Sequence, residues 1–224
     1  MRILSVDTST PASSIALSDD GTLKGEFNAE SEETHSVRLL PGIDTLLRSC
    51  GCAVKDVDVF AVVCGPGSFT GVRIGLTTIK GLAESLGKPV IPVTAFEAWV
   101  EAFSGQQGVV VPVIDARRDE IYSAVYRRSS EGLTLLSAGV VEKASVFLAS
   151  MTYPDACFVG GGASIYKHLI VARPGWRVLD SDPFLARSVS RIAHRQAKAR
   201  EFSPPAEVQA YYLRKPDAEL KWRQ

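Results

Sequence analysis

Asp7-Thr8-Ser9-Thr10 is the first stretch whose residue types could do chemistry. A carboxylate at a strand end can hold hydrated Mg²⁺, and hydroxyls with turn N–H groups can cradle a phosphate. The plain alternative is a hydrogen-bonded Asx or Ser/Thr turn. Asp115 stands at a similar strand end later in the chain. With Asp119 and Glu120 it could supply acid–base chemistry, or the latter two could be solvated turn residues. Gly160, Gly161 and Gly162 would let a nucleotide's sugar or base edge slide over bare backbone, or would simply turn the chain. Gly65-Pro66-Gly67-Ser68-Phe69-Thr70-Gly71 is not a Walker loop, because no Gly-Lys-Ser/Thr follows. It reads as a ligand or partner loop, or as a tight strand-to-helix turn with Ser68 capping the helix.

Other chemistry is discouraged by spacing. His35, His168 and His194 form no pair at i, i+3 or i+4, so no histidine metal site is expected. No Gly-x-Ser-x-Gly elbow is present, and no catalytic residue is assigned. Cys50, Cys52, Cys64 and Cys157 fit neither a zinc nor a thioredoxin pattern and are expected to be free thiols. Arg187, Arg191, Arg195 and Lys198 fall on one helical face, either a phosphate-touching stripe or a solvated surface.

The elements that must position these residues repeat. Three short strands (2–6, 14–17 and 22–27) form a meander, followed by a helix from Glu33 to Arg48. A buried strand from Val57 to Cys64 precedes a long helix ending at Gly87-Lys88-Pro89; Val90–Val93 and a helix at 95–103 complete the set. The same order restarts at Val109 and runs to a closing helix at 183–199. Each half reads βββαβαβα, so the expected lobes are 1–104 and 105–224, with the C-terminal tail free to pack back on the first lobe. Two such halves would face one another across a cleft, a common place for ligands.

In the long helix, Gly71, Gly75, Thr78, Gly81 and Ser85 share an arc of about 120°. Glycine within a helix costs on the order of 1 kcal/mol relative to alanine, so close approach of another backbone is implied. That neighbour is this protein's own sheet or helix, or another chain. Formal net charge is zero over 224 residues, which gives no basic field to grip a polyanion. The early Asp7 argues against a signal peptide, and the apolar runs are too short to span a bilayer, so a cytoplasmic location is expected.

The segments "ILSVDTSTPASSIAL", "HSVRLLPGIDTLL", "GPGSFTGVRIGLTTIKGLAESLGKPVIPVTAFEAW", "VIDARRDEIYSAVY" and "YYLRKP" occur in the order seen in the bacterial TsaB (YeaZ) family. This chain resembles that family over nearly its whole length, most specifically from Cys64 to Trp99. The resemblance implies a duplicated actin-like ATPase (ASKHA, ribonuclease H-like) fold. It implies a non-catalytic partner subunit in making N6-threonylcarbamoyladenosine (t6A) on tRNA, bound to the catalytic TsaD paralogue and engaged by the TsaE ATPase. A homodimer is implied when the chain is alone, and tRNA contact only through the complex.

No intrinsic cofactor is implied; ATP or ADP with Mg²⁺ would act at the level of the complex. Asp7, Thr8, Ser9, Asp115, Gly160, Gly161 and Gly162 become the nucleotide-binding candidates. The first two helices become the partner surface, through His35, Leu39, Ile43, Leu46, Gly71, Gly75, Thr78, Ile79 and Leu82. The paralogue's metal-binding histidine pair falls here on Ala95 and Trp99, which cannot ligate a metal. Its Ser-Gly-Gly turn is replaced by Asp115-Ala116-Arg117, whose side chains would crowd or repel a phosphate. The competing expectations are a stand-alone actin-fold ATPase or a peptidase-like enzyme, and a tRNA grip through the arginine stripe.

Overall fold

A computed structural model describes residues 1–30, 34–180 and 182–214. Glu33, the expected start of the first helix, and Lys215-Pro216 of the late motif lie outside the described residues.

The chain divides into two compact units, Met1–Ala102 with Phe184–Tyr211, and Phe103–Pro183 with the described residues from Tyr212 on. In the first unit, β1 (Arg2–Asp7), β2 (Ala12–Asp19) and β3 (Thr22–Glu30) form the meander, and β4 (Val59–Gly65) and β5 (Val90–Thr94) join in parallel. The strand order is β3-β2-β1-β4-β5. Successive strand residues face opposite ways. Leu4, Val6, Ile15 and Leu17 therefore enter one core with Leu39, Ile43, Leu46 and Leu47 of α1 (His35–Ser49) and Val72, Leu76 and Ile79 of α2 (Phe69–Leu86). Pro41 lies inside α1 without ending it. Ser68 caps α2 by accepting the Gly71 N–H, and Gly87 stops it in the left-handed region at φ 61°.

The second unit repeats the strand pattern as β6 (Gly108–Asp115), β7 (Glu120–Ser129), β8 (Gly132–Lys143), β9 (Ala156–Val159) and β10 (Trp176–Val178), in the order β10-β9-β6-β7-β8. Its core joins Val111, Val113, Ile121 and Phe158 to Phe147 and Leu148 of α4 (Ala144–Ser150). Strand β8 is much longer than its apolar segment predicts, because it pairs along the whole of β7 through two register shifts. Between β9 and β10 the helical segment is two pieces, α5 (Gly161–Ile165) and α6 (Lys167–Ile170).

The division differs from the expected boundary at one element. The closing helix α7 (Ala186–Lys198) belongs to the first unit, not the second. It packs with α3 (Ala95–Ala102) against the sheet face opposite α1 and α2. That face carries small polar residues, and α7 answers with small ones of its own. Ser14 Oγ accepts the Ala186 N–H at 2.9 Å, and the Ser190 and Ser18 hydroxyls pair at 2.8 Å. The arginine stripe is largely spent here. Arg187 pairs with Glu26, and Arg195 makes a two-pronged contact to the buried Glu101 at 3.1 and 2.8 Å. No helix among the described residues is long and apolar enough to cross a membrane.

Ala193 is wholly buried in this packing. Ala193→Leu is expected to lower unfolding free energy by about 1–3 kcal/mol through overpacking, read from the midpoint of urea denaturation.

Candidate functional site

The predicted site residues divide between the units. Asp7, Thr8 and Ser9 follow β1 in the first unit, with exposures of 0, 1 and 3%. Several of their polar groups are already engaged. Asp7 Oδ1 accepts the Ser9 N–H at 2.8 Å, closing an Asx turn. Thr8 Oγ1 donates to Gly71 O at 2.8 Å, and the Ser68 N–H donates to Ser9 O at 2.7 Å. The start of α2 thus lies directly on the turn.

The glycines make that approach possible. A Cβ on Gly71 would stand 2.0 Å from Thr8 O, one on Gly75 2.4 Å from Thr8 Oγ1, and one on Gly67 2.4 Å from Ser9 O. This corrects the assignment of Gly71 and Gly75 to a partner surface: their face is internal, and the close neighbour is this protein's own turn. Leu39, Ile43, Leu46 and Ile79 are corrected likewise, because all four are buried in the first unit's core. Thr78 and Leu82 are only half-buried, and Gly81 is exposed with open space where a Cβ would go.

His35 is also structural. Its ring bonds Thr10 O through Nε2 at 2.8 Å, while Nδ1 faces Arg38 Nη2 at 3.1 Å. A guanidinium can only donate, so Nδ1 accepts and the proton sits on Nε2. Burial first, and then the Arg38 charge, hold the imidazole below its usual pKa, against the Thr10 bond. Arg38 also donates to Pro11 O at 2.5 Å. The first turn of α1 therefore clamps the far end of the same loop.

The Asp7 carboxyl is pushed up to about 6 by burial, against the lowering effect of the Ser9 bonds. Its Oδ2 and the nearby Ser5 Oγ have no hydrogen-bond partner among the described residues. A buried, partly satisfied carboxyl keeps its proton more readily than a solvated one. Together with the covered hydroxyls, this does not fit a Mg²⁺–phosphate cradle at the turn. Cys64, at the neighbouring strand end, is a buried thiol pushed up to about 12 by burial and by Glu97.

In the second unit, Asp115 and the glycine cluster do come together. A Cβ on Gly162 would lie 2.9 Å from Val113 O and 3.0 Å from Asp115 N, so Gly162 packs on the end of β6. Gly160 takes φ 99°, while Gly161 is exposed and unobstructed. Asp115 Oδ1 accepts the Arg117 N–H at 2.9 Å. Arg117, Arg118 and Asp119 then run at φ 63°, 57° and 60°. Non-glycine residues pay roughly 1–2 kcal/mol each for that left-handed conformation. The left-handed backbone of this turn escaped sequence reading, which weighed acid–base chemistry against solvated turn residues there. The exposed pair Val37 and Leu40 of α1 also escaped it; both lie off the Leu39–Ile43–Leu46–Leu47 stripe, which was the available signal. Among the described residues, no group of three or more His, Cys, Asp or Glu side chains could hold a metal ion.

Two five-stranded mixed sheets, each with an antiparallel meander and parallel outer strands, define a duplicated α/β protein of the actin-like ATPase class. A solved activator of 2-hydroxyisocaproyl-CoA dehydratase from Clostridium difficile shares that fold at TM-score 0.52 and 12% identity, covering 95% of this chain and all of that one. The family described as "TsaD: tRNA N6-adenosine threonylcarbamoyltransferase" matches residues 27–199. The TsaB protein of Bacillus subtilis is 32% identical over 99% of this chain and 98% of its own length. That of Escherichia coli is 39% identical over 59% of this chain and 58% of its own. The solved YeaZ of Pseudomonas aeruginosa superposes at TM-score 0.79 with 29% identity, covering 95% of this chain and 99% of that one. The chain belongs to the TsaB (YeaZ) family, within the larger TsaD-like group.

Two outcomes follow from the turn. Gly75→Leu is expected to unfold or strongly destabilise the chain, while Gly81→Leu leaves its melting temperature within about 2 °C, since surface changes are usually small. For Asp7 the folded pKa lies above the unfolded one, so its contribution is full below about pH 4 and is lost as pH rises through about 6. The loss is on the order of 3 kcal/mol, and Asp7→Asn should flatten it in urea titrations across that window.

Proposed function

We propose that this chain serves tRNA threonylcarbamoyladenosine biosynthesis as a partner subunit that holds the catalytic TsaD paralogue and, once paired, engages the TsaE ATPase. The observation that carries this is the fate of the β1–β2 turn. Where an actin-like ATPase would grip phosphate, Asp7, Thr8 and Ser9 are covered, and their hydrogen bonds go to α2 and to the turn itself. A residue that spends its hydroxyl on a helix carbonyl supports packing rather than turnover. Chemistry is therefore assigned to the paralogue, and nucleotide with Mg²⁺ to the complex rather than to this chain's first unit. The relatives' shared designation, tRNA threonylcarbamoyladenosine biosynthesis protein TsaB, supports the pathway.

The contact surface proposed here is the outer face of α1 and α2, in place of their buried faces. Val37 is 62% exposed and Leu40 is 52% exposed on α1. They lie on a helix that packs against α2, which carries half-buried Thr78 and Leu82 and the bare Gly81. Apolar side chains on a face with a bare glycine suit a helix from a related subunit, or a second copy when the paralogue is absent. Zero formal charge, and Arg187 and Arg195 of α7 already paired, favour tRNA contact through the complex rather than through this chain.

Reconstitution tests the reading. With TsaD, TsaE, a threonylcarbamoyl-adenylate source and tRNA, modified adenosine should form only when this chain is added, and not from this chain alone; product without it would end the proposal. Leu40→Asp should weaken capture of TsaD at least tenfold by calorimetry, with the melting temperature of the isolated chain unchanged, since one desolvated carboxylate is costly at an interface.

A further inference from the structure

We propose that Cys50 and Cys52, at the end of α1, are a redox-active dithiol that exchanges with a low-molecular-weight disulfide and closes into an intramolecular bond across Gly51. The partner-subunit role makes no use of these thiols.

The backbone holds the pair in place. Helix α1 ends in a Schellman turn: the Gly51 N–H donates to Arg48 O at 3.0 Å, and the Cys52 N–H reaches back to Leu47 O at 2.9 Å. Gly51 takes the left-handed conformation that such a turn requires, at φ 65°. The two cysteines therefore stand on either side of one residue whose geometry is fixed. Across a left-handed residue the flanking Cα atoms lie about 5–6 Å apart, within the span that a disulfide bridges. Closure asks for side-chain rotation rather than travel of the backbone.

The pair is also within reach of solvent. Both thiols are free and only half-buried, whereas Cys64 and Cys157 are buried. Gly51 between them is exposed, with open space where a Cβ would go. An incoming disulfide meets bare backbone there.

The surroundings of the two sulfurs differ, and the difference assigns their roles. Cys52 Sγ donates to Cys50 O at 3.4 Å. The Arg2 guanidinium faces the same sulfur: Cys52 first, and then Asp19, hold Arg2 above its usual pKa. A cation beside a sulfur favours the thiolate, which is the nucleophilic form. Cys50 Sγ instead leans on β3, where a Cβ on Gly25 would stand 2.9 Å from it. Cys52 is thus the attacking thiol and Cys50 the resolving one.

The exchange runs in two steps. The Cys52 thiolate bonds to one sulfur of the incoming disulfide, and the other sulfur leaves as a thiolate. Cys50 then gives up its proton and attacks Cys52 Sγ, forming the Cys50–Cys52 bond and breaking the mixed disulfide. The two protein thiols are oxidised, one disulfide is reduced to two thiols, and the two protons released by the protein go to the leaving groups.

The test uses the folded full-length chain and oxidised glutathione. Two of the four thiols should be lost. The mass should fall by two hydrogens with no glutathione retained, peptide mapping should place the bond between Cys50 and Cys52, and dithiothreitol should reverse it. Cys50→Ser should stop at a stable glutathione adduct on Cys52. Cys52→Ser should slow the first step about tenfold, and Arg2→Gln about threefold. Melting temperatures within about 2 °C of the unmodified chain show that the variants are folded. A glutathione adduct that persists in the unmodified chain, disulfide-linked dimers in place of the internal bond, or thiols that react only in denaturant would each overturn the proposal. None of these readouts involves TsaD or tRNA, so that failure leaves the partner-subunit reading intact.

Discussion

The seating of Thr8 against α2 is the contact on which the rest of the first unit depends. Its carbonyl and hydroxyl lie where side chains on Gly71 and Gly75 would be, so the helix can rest on the turn only because those positions are bare. Once seated, α2 fixes the Gly67–Ser68 corner, and His35 and Arg38 tie the start of α1 to Thr10 and Pro11. The two helices that carry Val37, Leu40, Thr78 and Leu82 on their outer sides are thereby oriented by one loop. Here the Thr8 hydroxyl and the Ser9, Thr10 and Pro11 carbonyls are engaged in positioning two helices.

Electrostatics points the same way. Two basic side chains of the closing helix are matched inside the unit, Arg187 by Glu26 and Arg195 by Glu101. Pairing a guanidinium with a buried carboxylate fixes the register of α7 on its sheet and removes the field that would act at a distance. Local features such as the apolar spots of α1 suit recognition of shaped protein surfaces.

Much of the architecture was legible. The strand that ends in aspartate, the Ser68 cap and the Gly87 stop are local signals, and local signals survive folding. The glycine face of α2 announced a close backbone, but periodicity is blind to whose backbone it is; only the Thr8 distances decide that. The family resemblance assigned Leu39, Ile43 and Leu46 to a partner, and periodicity could not correct it, since a core stripe and an interface stripe have one period. Where α7 would pack was not legible either. Its partners Ser14, Ser18 and Glu101 are between 94 and 172 residues away in sequence and carry no pattern that points to it. The left-handed run at Arg117 was hidden because two of its three residues are arginines, which that conformation does not favour.

The placement of α7 has a consequence for how the chain is made. The first unit begins at Met1 but is completed by Phe184–Tyr211. At the usual synthesis rate of about 5–20 residues per second, the opening sheet would wait roughly 5–15 s for the helix that covers its serine-rich face. Most of the second unit, begun later, is contiguous from Phe103 to Pro183 and has left the ribosome before that helix emerges. The sheet translated first is therefore covered only after most of the second unit has been made.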